Sequence, residues 1–381
     1  MDKIYLDNAA TTPLDDEVIK EMFSAMKSFG NPSSTHSFGQ EAKILIENVR
    51  RKVAEYLHVT PAEIIFTSGG TESNNMIIKS TVRNLGVQRI ITSPIEHKCV
   101  AETVLEMKNR KDVEVVYLRP DKKGDISLQD LKDSLQKSDK KTLVSLMHAN
   151  NEIGNLLDIK KVAEICKEHG ALFHSDTVQT IAHLDLNFAD IGLDFASCSA
   201  HKFHGPKGSG FAYVRKSSGV KSLITGGPQE RSLRAGTENV AGIVGLGKAL
   251  ELAMENLKEY SDQIKDIKKY AVEQLAAAIP GVRFNGHSAD KEGSLYTVLS
   301  VLLPFSDPLI GMKLDMKGIA VSQGSACSSG ASTPSMVMMM ILDDEELKKS
   351  TPLRVSFSHL TTRHEIDVLV KALHEIAAAL N

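Results

Sequence analysis

Short apolar runs of β-rich composition alternate with helical patterns through the first half of this 381-residue chain. Helical spacing of apolar residues marks 127–137 and 158–169, and each of these stretches lies between two such runs. The alternation predicts an α/β fold with a mostly parallel sheet, covered by helices on both faces. The predicted strands are EIIFT (63–67), RIITS (89–93), EVVYL (114–118), TLVSLM (142–147) and ALFHS (171–175).

The second half of the chain has a different pattern. From about Thr237 to Ile279 the pattern is long and helical, and Pro280–Gly281 ends it. The runs LYTVLSVLL (295–303) and LRVSFS (353–358) then predict strands, and 362–380 predicts a closing helix. We therefore predict a large domain over 16–255 and a smaller α+β domain over 256–381.

Composition narrows the class of protein. A net charge of −3 argues against a nucleic-acid-binding surface. The sequence shows neither an 18-residue apolar run nor a basic-then-apolar start, so we expect neither a membrane partner nor a signal peptide. The four cysteines have neither metal-site spacing nor a disulfide framework, which favours a reducing, cytoplasmic location. They are Cys99, Cys166, Cys198 and Cys327.

Polar and small residues follow the predicted strands, where ligands bind to sheets of this kind. SGGTES follows 63–67 and precedes a helix, so its small residues and free N–H groups suit an anion. It is not a nucleotide-triphosphate loop, because no Gly-Lys-Ser/Thr follows. The strand-end residues of interest are Gly70, Thr71, His97, Asn151 and Asp176.

Lys202 lies in the run SCSAHKFHGPKGSG, downstream of Asp176 and Gln179 in HSDTVQ. A lysine that carries a carbonyl cofactor needs an anion site for the cofactor's phosphate and a carboxylate for its pyridine nitrogen. Ser199 and His201 can supply the first, and Asp176 the second. The alternative is a surface lysine before a Gly-Pro turn. HKFH also suggests a metal pair, but no carboxylate or cysteine set accompanies it, so we predict no metal site.

Two further residues suggest chemistry. Cys327 lies in QGSACSSGAS, whose small residues and lack of periodicity predict a loop at about 322–336 and an accessible thiolate. Arg354 lies on the predicted strand LRVSFS, and its planar charged fork suits an α-carboxylate. The alternative for Arg354 is a surface ion pair. Cys166 and Cys198 fit packing positions, and Cys99 is intermediate.

These motifs together resemble the pyridoxal-phosphate-dependent cysteine desulfurases of the class-V aminotransferase family. The loop around Cys327 is similar to that of the housekeeping and nitrogen-fixation subgroup. The resemblance implies fold type I of the pyridoxal-phosphate transferases, with residues 1–15 in the small domain. The segments that carry it, in family order, are IYLDNAATTPLD, FGNPSSTHSFGQEA, TSGGTESNN, IEHKCV, MHANNEIG, SAHKFHGPKG, RAGTENV and SQGSACSSGASTPSMV.

The resemblance also implies a role for each site residue. The phosphate is held by Gly70, Thr71, Ser199, His201 and, from the partner subunit of a homodimer, Thr237. Asp176, Gln179, Asn151 and His97 contact the ring, His97 lying over it and moving protons. Lys202 carries pyridoxal phosphate, Arg354 and Asn151 bind the substrate carboxylate, and Cys327 is the nucleophile. The sequence departs from the family at Ser358-His359, where Gly-Arg is usual.

The implied reaction converts L-cysteine to L-alanine and leaves a persulfide on Cys327. The sulfur then passes to an acceptor protein of iron–sulfur cluster assembly or of a thiolation pathway. The alternatives are a selenocysteine lyase, another pyridoxal-phosphate cysteine lyase, or a non-catalytic sulfur-assembly scaffold. Intact Lys202, Asp176, His97 and Arg354 favour an enzyme, and Cys327 in a loop of small residues favours the desulfurase.

Overall fold

The computed structural model describes residues 3–111, 113–323 and 334–380. Its strands are β1 (Ile4–Tyr5), β2 (Ile64–Thr67), β3 (Arg89–Thr92), β4 (Glu114–Tyr117), β5 (Thr142–Ser145), β6 (Leu172–Asp176), β7 (Phe195–Ser199), β8 (Gly210–Val214), β9 (Arg283–Phe284), β10 (Val298–Leu303), β11 (Ile319–Ala320) and β12 (Thr351–Ser356).

The helices begin with α1 (Asp16–Ala25), α2 (Ser37–Tyr56), α3 (Gly70–Leu85), α4 (Lys98–Lys111), α5 (Leu128–Gln136), α6 (Ile159–Glu168) and α7 (Phe188–Ile191). They continue with α8 (Gln229–Ser232), α9 (Val240–Glu255), α10 (Leu257–Ala278), α11 (Ile310–Met316), α12 (Met336–Ile341), α13 (Asp344–Lys349) and α14 (Arg363–Ala378). Short 3₁₀ helices cover Pro61–Glu63 and Ala200–Lys202.

The central sheet has the strand order β2-β8-β7-β6-β5-β3-β4. β8 runs antiparallel to both of its neighbours, and the other pairs are parallel. The five strands predicted from the sequence are β2 to β6. β8 was not predicted. It follows β7 after only the short turn around Ala200–Lys202, and a short connection of this kind allows only an antiparallel return.

Helices cover both faces of this sheet, as the pattern predicts. Successive residues of β2 point to opposite faces, so Ile64 packs in the cluster with α2 and α9, and Ile65 packs with α3 and α4. Both side chains are fully buried. This two-sided burial explains why the strands read as continuous apolar runs rather than as alternating ones.

The C-terminal part forms a second apolar core. β12, β10 and β9 make an antiparallel sheet against which α10 and α14 pack, and β1 pairs in parallel with β11. The long helical pattern from Thr237 to Ile279 is divided into α9 and α10 at Asn256, whose Nδ2 donates to Leu252 O. The domain boundaries given above stay a prediction. Within the described residues, no helix has the length and apolar character needed to cross a membrane.

Candidate active site

An open cleft of about 530 Å³ lies at the carboxyl ends of the central strands. β2, β3, β5, β6 and β7 all end there or lead into it, so loops far apart in sequence meet at one edge of the sheet. The structure brings most of the predicted site residues together in this cleft. They are Gly70, Thr71, His97, Asn151, Asp176, Gln179, Ser199, His201, Lys202 and Arg354.

One end of the cleft is built to hold an anion. α3 begins at Gly70, and the first N–H groups of a helix have no partner within it. Gly69 has a φ of +144°, and a Cβ on Gly70 would lie 2.5 Å from Val178 Cγ2, so only glycines allow this backbone. Burial, with help from Lys202 and Lys207, lowers the pKa of His201 to about 4. Its imidazole is therefore neutral and acts through hydrogen bonds.

Asp176 ends β6 and lines the middle of the cleft. Its carboxylate accepts hydrogen bonds from Asn74 Nδ2 at 2.7 Å, Val178 N at 3.0 Å and Ser197 Oγ at 3.3 Å. All three partners are donors, so the carboxylate is fixed in direction and acts as an acceptor toward whatever occupies the cleft.

Lys202 reaches the cleft from the 3₁₀ turn after β7. Its Nζ donates to Ala9 O at 2.7 Å and to Ala10 O at 2.8 Å. Burial and the charge of Arg354 lower the pKa of Lys202 to about 8, and Asp176 and Asp7 oppose the shift. Roughly a tenth of this amine is therefore unprotonated at pH 7 and about half at pH 8, and the unprotonated amine is the form that reacts with a carbonyl.

The N-terminal segment 7–12 forms one wall of the site, which the sequence did not reveal. Asp7 Oδ1 accepts from Arg354 Nη2 at 2.7 Å, and Arg354 Nη1 donates to Asn151 O at 2.9 Å. Thr11 Oγ1 lies 3.1 Å from His201 Nδ1. The available signal was the polar run that follows β1, the same position after a strand that marks Asp176.

Glu96, which is buried, and Glu152, which is half-buried, also line the cleft and were not among the predicted site residues. Glu96 Oε1 accepts from Met147 N at 2.9 Å, and Glu152 Oε2 accepts from Ser335 Oγ at 2.5 Å. Burial raises the pKa of both carboxyl groups. Glu96 directly precedes His97, and Glu152 directly follows Asn151. Their positions beside predicted site residues were the sequence signal that could have identified them.

Two predicted site residues are not part of this cleft as the structure describes it. Thr237 is exposed to solvent between α8 and α9. Cys327 lies outside the described residues, as does most of its predicted loop. Their roles stay predictions.

Cys166 and Cys198 are buried, whereas Cys99 lines the cleft beside His97. Over residues 3–111, 113–323 and 334–380, no set of three or more His, Cys, Asp or Glu side chains is arranged for a metal.

The donor set of the cleft fits a phosphorylated pyridine aldehyde. The N-terminus of α3 with Ser199 suits the phosphate, Asp176 suits a protonated ring nitrogen, and Lys202 suits the carbonyl carbon. The glycine backbone at Gly69 and Gly70 leaves room for an anion to approach the helix.

Comparison with known proteins agrees with this geometry. The family model described as Aminotransferase class-V matches residues 4–369. The chain belongs to this family. It is 40% identical over 381 residues to a cysteine desulfurase IscS of Dictyoglomus turgidum, covering 99% of this chain and 95% of that one. It is 38% identical to a putative cysteine desulfurase IscS 1 of Bacillus subtilis, covering all of both chains.

Solved structures give the same result. A NifS-like protein superposes with a TM-score of 0.89 at 37% identity, covering 99% of each chain. A NifS-like protein from Rickettsia africae superposes with a TM-score of 0.87 at 33% identity, again covering 99% of each chain. The predicted family, its α/β fold, its pyridoxal phosphate cofactor and the assignment to the cysteine desulfurases are therefore confirmed.

Proposed function

We propose that this chain converts L-cysteine to L-alanine and holds the released sulfur as a persulfide on Cys327. The observation that carries the proposal is the cleft itself, in which Lys202, Asp176 and Arg354 converge from three different elements. A reactive amine, a carboxylate for the ring nitrogen and a guanidinium for a substrate carboxylate are together what an amino-acid reaction on pyridoxal phosphate requires.

When bound, pyridoxal phosphate supplies an electron sink that makes the substrate's α-hydrogen acidic. Lys202 would hold the cofactor at its carbonyl carbon, and with the substrate bound its Nζ would take the proton from the substrate α-carbon. Burial and the charge of Arg354, which lower the pKa of Lys202 to about 8, favour the unprotonated amine that this role needs. Asp176, with its donors in place, keeps the ring nitrogen protonated.

Arg354 orients the substrate through its carboxylate. Nη1 of Arg354 donates one N–H to Asn151 O, and Nη2 donates one N–H to Asp7 Oδ1. The other N–H groups of the guanidinium are left for a ligand. Because Asp7 also carries a negative charge, it holds Arg354 in a fixed direction before the substrate arrives. This preorganisation lowers the entropy cost of placing the α-carbon beside Lys202.

Sulfur transfer completes the reaction. The Cys327 thiolate attacks the substrate sulfur, the bond from the β-carbon to sulfur breaks, and a sulfur–sulfur bond forms. The electron pair that remains on carbon is taken up by protonation, which gives alanine. Protonated Lys202, which has taken the α-hydrogen, can return that proton, and His97 lies on the cleft wall, where it can hydrogen-bond to the reacting groups. The persulfide then passes to an acceptor protein.

A selenocysteine lyase or another cysteine lyase would use the same cleft but would not need a cysteine nucleophile on the protein. A non-catalytic assembly scaffold would not need the amine and carboxylates that line the cleft. The desulfurase is favoured because its required groups are all present in the sequence and, Cys327 apart, lie in one cleft.

The test is to supply L-cysteine and follow alanine and protein persulfide together. The wild-type protein should form both, with the persulfide mapped to Cys327. Cys327→Ser should keep its bound cofactor and lose at least about 100-fold in alanine formation, since covalent catalysis is removed. Cys166→Ser is the matched control, because that thiol is buried in α6. Alanine formed at the wild-type rate by Cys327→Ser would contradict the proposal.

We also propose that the enzyme is a homodimer. Large apolar side chains of α1, of the connection after it and of the start of α2 are exposed in the single chain, with Phe23 at 64%, Phe29 at 78% and Phe38 at 51%. The turn at Gln229 adjoins this surface through Ser33, and exposed Thr237 follows that turn. A partner covering the surface would bring Thr237 to the neighbouring phosphate site. Sedimentation tests this, and a fully active monomer would refute it.

The remaining proposals concern organisation. We propose a large domain over 16–255 and a small domain formed by 1–15 and 256–381, a division supported by the pairing of β1 with β11. We propose a cytoplasmic location and, as partner, a sulfur-acceptor protein. The support for both is chemical, because a reactive thiol and its persulfide persist in a reducing compartment.

A further inference from the structure

His97 and Cys99 form a hydrogen-bonded pair in the cleft, and Cys99 has no role in the reaction proposed above. His97 directly precedes α4, and its Nδ1 accepts from the backbone N–H of Cys99 at 3.2 Å. This is the way an N-cap side chain satisfies a free helix N–H. The Sγ of Cys99 lies 3.0 Å from the same Nδ1. The thiol and the backbone N–H of Cys99 therefore both contact Nδ1 of His97.

The pair is joined to Asp176 through Asn74. Asn74 Nδ2 donates to Asp176 Oδ2 at 2.7 Å and to Cys99 Sγ at 3.2 Å. Its Oδ1 lies 3.1 Å from His174 Nε2, whose other nitrogen lies 2.9 Å from Ser145 Oγ. Asn74 is fully buried, so both of its amide hydrogens and its oxygen need partners.

Counting donors and acceptors shows which atom donates and which accepts in each hydrogen bond of this network. Both hydrogens of Asn74 Nδ2 are used, so its Oδ1 must accept, and His174 must donate from Nε2. Cys99 Sγ receives one of the Asn74 hydrogens and a hydrogen bond from the Thr71 side chain, which leaves the thiol hydrogen to point to His97. The backbone N–H of Cys99 can only donate, so His97 Nδ1 must be the acceptor of both.

We propose that Cys99 is a positioning residue that holds His97 as the neutral tautomer with its proton on Nε2. A proton on Nδ1 would face the backbone N–H of Cys99 and force the thiol to give up its donor role. Because Nδ1 is turned toward Cys99, Nε2 is the nitrogen left to face the cleft. His97 in this form donates a hydrogen bond to the cleft through Nε2, and this nitrogen cannot accept a proton. That consequence rests on the proposed function, whereas the tautomer does not.

The rival interpretation is a reactive thiolate–imidazolium pair. Burial and the charge of Asp176 raise the pKa of Cys99 to about 11. Burial, Lys202 and Lys98 lower the pKa of His97, and Asp176 opposes them. Both shifts oppose the ion pair, because it needs an acidic thiol and a basic imidazole. Cys99 therefore acts as a hydrogen-bond donor at neutral pH.

Nuclear magnetic resonance of protein labelled with ¹⁵N in histidine distinguishes the two tautomers directly. The enzyme with its cofactor, and the same protein stripped of it, should both show His97 protonated on Nε2 at pH 8. Cys99→Ala removes a donor that favours the neutral ring, so the His97 pKa should rise by roughly 0.5–1 unit. Cys99→Ser keeps a donor and should restore the wild-type value. Cys166→Ala, a buried thiol far from the cleft, should change nothing.

Three outcomes would overturn the inference. They are a proton on Nδ1 in the wild type, a His97 pKa in Cys99→Ala equal to that of the wild type, and rapid alkylation of Cys99 by iodoacetamide at pH 7. The last would identify a thiolate. None of these readouts needs turnover, so failure of the proposed reaction and failure of this inference give different results.

Discussion

The two sides of the Lys202 segment differ in charge and in openness. On the cleft side, Lys202 Nζ lies among Asp176, Asp7 and Arg354 in an open space. On the opposite side, His183 Nε2 contacts Lys202 O at 3.1 Å. There His204 and His359 have ring centroids 4.5 Å apart, and His359 stacks on Tyr260 at 4.1 Å with an interplanar angle of 7°.

This difference separates the groups that carry function from those that support them. Lys202, Asp176 and Arg354 on the cleft side each have an opposite charge or a set of donors nearby, and each can bind a charged ligand. On the histidine side, burial lowers the pKa of His183 and of His204 to about 4, so these rings are neutral at pH 7. We therefore expect changes in the cleft to reduce activity with little loss of stability, and changes behind it to alter stability with pH.

The largest effect should come from Lys202→Ala. The variant should fold, because its side chain donates only to two backbone carbonyls, yet it should hold no covalent cofactor and lose all measurable activity. Borohydride reduction of the wild type followed by peptide mapping should find the cofactor on Lys202. Lys216→Ala, at an exposed lysine just after β8, is the control and should behave as wild type. Cofactor fixed to a different lysine would show that Lys202 is not the residue that carries it.

Arg354→Ala should have a smaller effect, confined to the substrate. Removing a partly buried guanidinium that binds a carboxylate should cost about 2–4 kcal/mol, which corresponds to roughly 30- to 1000-fold more cysteine for half-maximal rate. Cofactor content should be unchanged. Asp7→Asn keeps a hydrogen bond to Arg354 but loses the charge, so its effect should be weaker. Arg363→Ala, at an exposed arginine on α14, controls for net charge. Unchanged substrate dependence in Arg354→Ala would mean that the carboxylate binds elsewhere.

The sequence predicted the cleft side far better than the histidine side, and the reason is physical. Asp176 ends β6 and His97 lies in the connection after β3, and local periodicity places strand ends at one edge of a parallel sheet. The contact of Asp7 with Arg354 spans 347 positions and depends on the complete fold. His359 was noted only as a departure from the family pattern, since nothing local to it indicates Tyr260 or His204. Cys327 was predicted from local composition and lies outside the described residues.

Acid stability provides the finest test of the histidine side. An unfolded histidine has a pKa near 6.5, whereas His183 and His204 in the fold have pKa values of about 4. Between these values the unfolded chain binds more protons than the folded one, so the free energy of unfolding falls as the pH falls. The stability is fully present above pH 6.5 and is lost progressively down to pH 4. Buried His204 alone should account for about 1–3 kcal/mol of this loss.

His359→Phe sharpens this expectation, because phenylalanine keeps the stack on Tyr260 and cannot be protonated. Burial lowers the pKa of His359, and Asp15 only partly opposes the shift. A proton on His359 also disfavours protonation of His183 and His204, whose pKa values it lowers. Removing the titrating ring should therefore move the acid-unfolding midpoint to lower pH by several tenths of a unit, with activity at pH 8 unchanged. Circular dichroism against pH measures the midpoint, and His374→Gln, at an exposed histidine of α14, is the control. A midpoint equal to the wild type would show that His359 is not protonated on unfolding, and a higher one would show that its ring makes a polar contact that phenylalanine cannot replace.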